Sequence, residues 1–220
     1  MPNIITTAFL TNKLFLGLLF TFLTSITFSI IAQDDTATDN NNTAESQEIN
    51  KAVFAGGCFW CIEADFEKLD GVISVDSGYS GGSSDTANYK AVTKGHSGHY
   101  EVVEVNYNAA EVSYAQLVDY FWRHIDPTDP HGQFCDKGAS YKSAIFYNND
   151  KEKAVIDNSL QTLNADKPFA EDIVTAILPS SPFYLAESYH QDYYKKNPIR
   201  YNYYRRGCGR DARVAELWGK

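Results

Sequence analysis

After Met1 the chain contains no further methionine in its 220 residues. Any mature form lacking the first residue therefore carries none of this readily oxidised side chain. Cysteine is scarce too, with four residues in the chain. That number is too small for a fold built on disulfides, although it is enough for redox chemistry. Positive charge is in deficit: 19 Lys and Arg stand against 28 Asp and Glu, a formal net charge of -9. This excludes the basic footprint of a nucleic-acid binder. No phosphate loop or dinucleotide fingerprint occurs, and residues 78–82 lack the required spacing. No internal repeat is evident. The length allows one domain, or two small ones.

What is present is strongly zoned. Residues 1–32 carry a single charge, Lys13, followed by an apolar run that ends at Ile31-Ala32. The pattern is a charged n-region, an apolar h-region and small residues suited to cleavage. Its length also approaches that of a membrane span. The expectation is a signal peptide cleaved near Ala32, with a retained membrane anchor as the alternative. Either way the rest of the chain is exported, periplasmic or secreted. Residues 33–50 hold Asp34, Asp35, Asp39, Glu45 and Glu48, with no basic or aromatic residue. Such a segment cannot bury enough apolar surface to fold and reads as a disordered acidic linker. Residues 51–220 then form the domain, where Lys195, Lys196, Arg200, Arg205, Arg206, Arg210 and Arg213 crowd the C-terminal end. They read as a solvated basic face, with a docking patch for an acidic partner as the alternative.

Within the domain, residues 51–55 are apolar and stop at Gly56-Gly57, a strand broken by glycine. From Cys58, apolar residues at Phe59, Ile62, Phe66 and Leu69 have helical spacing. Residues 72–77 and 100–107 read as strands, separated by a Gly/Ser-rich loop from Gly78. Ser113 and Gln116 make a capping box that opens a helix with the stripe Tyr114, Leu117, Val118, Phe121 and Ile125. A strand over 142–147, a helix over 151–164, a strand over 173–178 and a short helix over 186–195 follow. Adjacent strands mixed with helices predict an α+β fold, a two-layer sandwich with a mixed central sheet. The tail after Pro198 is expected to be irregular.

Gly56-Gly57-Cys58-Phe59-Trp60-Cys61 sits where the first strand meets the first helix. A cysteine in a first helical turn feels the positive end of the macrodipole, which favours the nucleophilic thiolate. The glycines would let a ligand approach the backbone, and Trp60 offers apolar surface to a thioether or sulfoxide. The bland alternative is a structural cysteine among core aromatics. Side chains alternate along a strand, so Glu101 shares the face of Val103, Val105 and Tyr107. Burial there would raise its pKa and keep it an acid near neutral pH. Exposure at a strand end is the alternative. His96, His99, His124 and His131 show no zinc spacing with cysteine, and no metal site is expected.

Five ordered strings give the domain a family resemblance: Gly57-Cys58-Phe59-Trp60, Gly78-Tyr79-Ser80-Gly81-Gly82, Gly98-His99-Tyr100-Glu101-Val102-Val103, the block from Asp136 to Ile145, and Ala186-Glu187-Ser188-Tyr189-His190-Gln191. Residues 51 to about 210 resemble peptide methionine sulfoxide reductase of the A type. The resemblance implies that Cys58 attacks the sulfoxide sulfur, while Phe59 and Trp60 bind the substrate methyl. It implies that Glu101 protonates the oxygen, that Tyr79 and Tyr141 hold it, and that Asp136 joins the same polar network. Substrates would be oxidised proteins and free methionine sulfoxide. No cofactor is implied, only an external thioredoxin-like reductant, and a monomer is expected. The commoner family pattern has glycine where Cys61 stands, and Ser140 and Lys142 replace its usual Gln and Arg.

Oxygen transfer would leave Cys58 as a sulfenic acid that condenses with a second thiol. Cys208, in the tail, is ranked first for this role, then Cys61, one helical turn from Cys58, then Cys135, beside Asp136. Two rival functions remain open on the residues alone. One is an exported thioredoxin-like dithiol oxidoreductase using Cys58 and Cys61 as Cys-x-x-Cys. The other is a binding domain with disulfides Cys58–Cys61 and Cys135–Cys208. In an enzyme that repairs methionine, a methionine-free mature chain would be a form of self-protection.

Overall fold

The structure, a computed structural model, describes residues 49–219. The expected signal peptide or anchor, and the linker as far as residue 48, lie outside them. The linker's last two expected residues belong instead to the first strand. The chain runs β1 (Ile49–Gly56), α1 (Phe59–Phe66), β2 (Val72–Ser80), α2 (Tyr89–Val92) and β3 (Tyr100–Asn108). Then come α3 (Tyr114–Trp122), the two-residue strands β4 (Gly132–Gln133) and β5 (Asp136–Lys137), β6 (Ser143–Tyr147) and α4 (Asp150–Asp166). The last part holds β7 (Ala176–Pro179), β8 (Tyr184–Leu185), α5 (Tyr193–Lys196), α6 (Pro198–Gly207) and α7 (Arg210–Trp218).

Six strands form one sheet in the order β7-β6-β1-β3-β2-β8, and β4 pairs only with β5. The large sheet is mixed: β6 and β7 are parallel, and the other neighbours are antiparallel. This is the expected α+β arrangement. Alternation along β1 sends Ala52 and Phe54 into the main core, and Val53 and Ala55 to a smaller cluster on the opposite face. Helices cover the main face. Phe54 stacks on Phe66 of α1 at 4.9 Å and meets Phe121 of α3 at 5.1 Å. Burying one such ring contributes about 1.5–3 kcal/mol. The capping box of Ser113 and Gln116 starts α3 as expected.

Register explains why chemistry gathers at one end of the sheet. Phe54 pairs with Val103, so the C-terminal end of β1 lies beside the start of β3, and Cys58 arrives near Glu101. Gly56 pairs with Ser143, which brings the turn before β6, and Tyr141 with it, to the same end. The glycines before Cys58 serve packing rather than ligand approach. A Cβ on Gly56 would stand 2.5 Å from Ile62 Cδ1. One on Gly57, whose φ is +82°, would stand 2.5 Å from Gln133 Cβ.

Several sequence expectations are corrected. Gly78, Tyr79 and Ser80 continue β2 rather than opening a loop. The helix expected over 186–195 shrinks to α5. The tail is helical, not irregular. Pro198 occupies the first turn of α6, where its missing N–H costs nothing. Gly209, at φ +72°, turns the chain into α7. Val214, Leu217 and Trp218 then pack on the main core. Part of the basic cluster points inward as well. Arg210 is 2% exposed and donates to the carbonyls of Gly56 (3.1 Å) and His124 (2.8 Å). Arg205 pairs with the buried Asp65 at 2.9 Å, and Arg213 with Asp126 at 2.8 Å.

Candidate active site

Cys58 occupies the N-cap position of α1 and is buried. Its thiol hydrogen bonds with the Cys61 sulfur, and Tyr204, whose hydroxyl donates to Asp136, lines the same cavity. The helix terminus does not dominate its acidity as expected. Burial first, then the bond to Cys61, push the Cys58 thiol well above its ordinary pKa, while Tyr204 pulls it down. Cys61 moves the other way. It accepts the hydrogen bond from Cys58, and the guanidinium groups of Arg210 and Arg205 favour its charged form. Of the two, Cys61 is the sulfur whose charged form is favoured.

Glu101 is 2% exposed and stands on the apolar face of β3, as strand parity requires. Its Oε2 accepts the backbone N–H of Phe59 at 3.1 Å. Burial raises its pKa to about 8, and the nearby Asp136 adds to this. The Phe59 N–H and the Tyr141 hydroxyl pull in the opposite direction and do not win. Cys58, Phe59, Trp60, Tyr89, Glu101, Asp136, Tyr141 and Tyr204 line one cavity of about 70 Å³. A larger hollow of about 440 Å³ between α3 and α4 contains no cysteine or histidine.

The aromatic wall is held in place. Trp60 donates its indole N–H to His190 Nδ1 at 3.0 Å and stacks on Tyr193 with centroids 3.8 Å apart. His190 must accept at Nδ1, and burial lowers its pKa in keeping with a neutral ring. Asp136, half-buried, accepts a short hydrogen bond from Tyr204, and burial raises its pKa.

Not every expected residue reaches the cavity. Tyr79 lies opposite Glu101 in the strand pairing, but it does not line the cavity and its hydroxyl donates to Glu187 at 2.8 Å. Glu187 also accepts the backbone N–H of Tyr89 at 3.0 Å, so Tyr79 braces the segment that carries Tyr89. Tyr89 and Tyr204 line the cavity and were not singled out in the sequence. A helical reading of the tail would have exposed Tyr204, which lies one turn before Cys208. Nothing marks Tyr89 among 15 tyrosines beyond its place after the N-cap Asn88. Cys208, ranked first as partner for Cys58, is bonded to Cys135, while Cys61 is the thiol at Cys58. The pairing Cys135–Cys208 imagined for a binding domain is therefore present, and Cys58–Cys61 is reduced. His99 braces a loop through Gly82 N–H and the Ser83 carbonyl. Among the described residues, the one grouping of three potential metal donors is Cys135, Asp136 and Cys208, whose two sulfurs are spent on each other.

The sequence model of the family described as peptide methionine sulfoxide reductase matches residues 50–220. The chain belongs to this family. Similar relatives include the peptide methionine sulfoxide reductase MsrA of Bacillus subtilis, 46% identical over 80% of this chain and 98% of that protein. The MsrA/MsrB protein of Vibrio cholerae is 44% identical over 90% of this chain, and the chain spans about half its length, 52%. Among solved structures, the reduced form of Mxr1 from Saccharomyces cerevisiae aligns with a TM-score of 0.64 at 32% identity, covering 68% of this chain and 86% of that one. Methionine sulfoxide reductase A of Corynebacterium diphtheriae gives 0.61 at 29% identity, covering 69% and 76%. Membership in the peptide methionine sulfoxide reductase family makes the chain an oxidoreductase that reduces methionine sulfoxide with thiols. It sets aside both the thioredoxin-like and the binding-domain readings.

Proposed function

We propose that this chain reduces methionine S-sulfoxide, protein-bound and free, at Cys58. The observation that carries the reading is the meeting of Cys58 and Glu101 in one aromatic-walled cavity, with Glu101 kept protonated up to about pH 8. The substrate methyl packs against Phe59 and Trp60. Its oxygen lies toward Glu101, Tyr89 and Tyr141. The Cys58 sulfur attacks the sulfoxide sulfur, and its proton passes along the hydrogen bond to Cys61. Glu101 gives its proton to the oxygen. Methionine departs, and the oxygen stays on Cys58 as a sulfenic acid. Cys61 then attacks that sulfur, water leaves, and a Cys58–Cys61 disulfide remains. An external thioredoxin-like dithiol reduces it, and Glu101 regains its proton from solvent. Cys61 takes the resolving role ahead of Cys208 because its thiol already touches Cys58. The apolar run in residues 1–32 supports an exported enzyme.

Two outcomes test this. With excess small dithiol, the protein should consume the S epimer of methionine sulfoxide and leave the R epimer; consumption of neither would refute the reading. Tyr89→Phe should lower kcat/KM by about 10²–10³-fold, as loss of a donor to a developing oxyanion does. Tyr79→Phe, acting only through Glu187, should cost less. The reverse order in steady-state assays would return Tyr79 to the oxygen.

A further inference from the structure

We propose that the Cys135–Cys208 disulfide is a positioning bond of the active site and lies off the path of electrons. The proposal rests on the reading that Cys58 is the nucleophile. Cys135 directly precedes Asp136, and Cys208 lies four residues, one helical turn, beyond Tyr204. The bond therefore ties together the two segments whose side chains meet at the reacting sulfur. Asp136 accepts from the Tyr204 hydroxyl, and both side chains line the cavity with Cys58. The Cys135 N–H points at Cys208 Sγ, 3.2 Å away, and Cys208 Sγ stands 3.8 Å from Asp136 Oδ2.

Each element it joins is anchored separately, α6 on α1 through the buried Tyr201 and through Arg205 on Asp65, and β4 through the buried Gln133 on Asp126; the Tyr204–Asp136 hydrogen bond and the disulfide link the two to each other. β4 and β5 make two residue pairs with each other and none with the main sheet. α6 leaves Ile199 and Tyr203 exposed at 87% and 84%. Across 73 residues of sequence, the covalent bond sets how closely Tyr204 approaches Asp136 and hence Cys58. It is not needed as a source of electrons, because Cys61 supplies a resolving thiol from α1 itself. The balance closes without it: Cys58 sulfenic acid and the Cys61 thiol give one disulfide and one water. With the latch open, Tyr204 is held less closely, and Cys58 loses a group that favours the thiolate.

The test compares the wild type with Cys135→Ala/Cys208→Ala, using free methionine S-sulfoxide and a small dithiol. The double variant should still form one Cys58–Cys61 disulfide per sulfoxide in a single turnover. Its kcat/KM should fall about tenfold, the loss of one hydrogen bond to a charged group. The acid limb of its kcat/KM profile should move up by about one pH unit, a tenfold change in ionisation. Tyr204→Phe, with the disulfide intact, should show the same pH shift, and adding it to the double variant should add none. A double variant that stops at the sulfenic acid would put Cys208 back in the relay and overturn the proposal. An unchanged kcat/KM and pH profile would overturn it too, leaving an inert bond. If the double variant does not fold, Tyr204→Phe decides alone: no pH shift refutes the positioning role. A wild type that turns over no sulfoxide would instead defeat the functional reading beneath it.

Discussion

Glu101→Gln should lower kcat/KM for methionine sulfoxide by about 10²–10⁴-fold, the span usual for a positioned general acid. Glutamine keeps the shape and can still meet the Phe59 N–H, but it has no proton to give at the oxygen. The wild type should hold its activity below about pH 8 and lose it as pH rises through that value, because Glu101 ionises there. The variant should lack this alkaline limb. The substitution should move stability in the opposite sense to activity. Glu101 binds its proton more tightly in the folded state than in the unfolded chain, where its pKa is 4.5. Its stabilising contribution is complete below that value and is lost as pH rises toward about 8. The neutral glutamine pays no such penalty, so the variant should be the more stable protein at pH 8 while being the less active one. Thermal melts and pH-rate profiles on the same two samples check both halves. Full activity in the variant at neutral pH would remove Glu101 from the reaction.

Cys61→Ser should split the reaction in time. The first sulfoxide should still be reduced, since the oxygen goes to Cys58. Steady-state turnover with a protein dithiol should then fall by about a hundredfold or more, because an oriented neighbouring thiol acts at an effective concentration that no external thiol reaches. Serine also removes the acceptor of the Cys58 proton, so the first turnover should be slower, although complete in yield. A small thiol at high concentration should restore part of the turnover by attacking the sulfenic acid directly. Unimpaired turnover with the protein dithiol would show that another cysteine resolves Cys58.

Where the site was legible in the sequence, short-range physics carried the signal. Strand alternation placed Glu101 on the buried face of β3, and a strand running into an amphipathic helix placed Cys58 at the junction. Phe59 and Trp60 followed from their neighbour. Asp136 and Tyr141 were legible only through the family strings, because nothing local ties them to Cys58; the pairing of β6 with β1 does. Tyr79 was misplaced for a similar reason. Strand pairing sets it opposite Glu101, but its hydroxyl is taken by Glu187, on a segment 108 residues away. The tail failed because its charges masked a helix. Arg205 and Arg210 look solvated until Asp65, nearly buried on α1, is seen to receive them. With the helix unread, the turn that brings Tyr204 and Cys208 together went unread as well. The sequence offered three partners for Cys58; the closure of Cys135 on Cys208 leaves one thiol beside it.

The central claim is that Cys58 alone takes the oxygen from methionine sulfoxide. A variant with Cys61, Cys135 and Cys208 all replaced by serine, mixed with one equivalent of methionine S-sulfoxide and no reductant, tests it most directly by mass spectrometry of trapped peptides. Close to one equivalent of methionine is expected, with one added oxygen on the Cys58 peptide. A folded variant that releases no methionine and carries no added oxygen at Cys58 would contradict it.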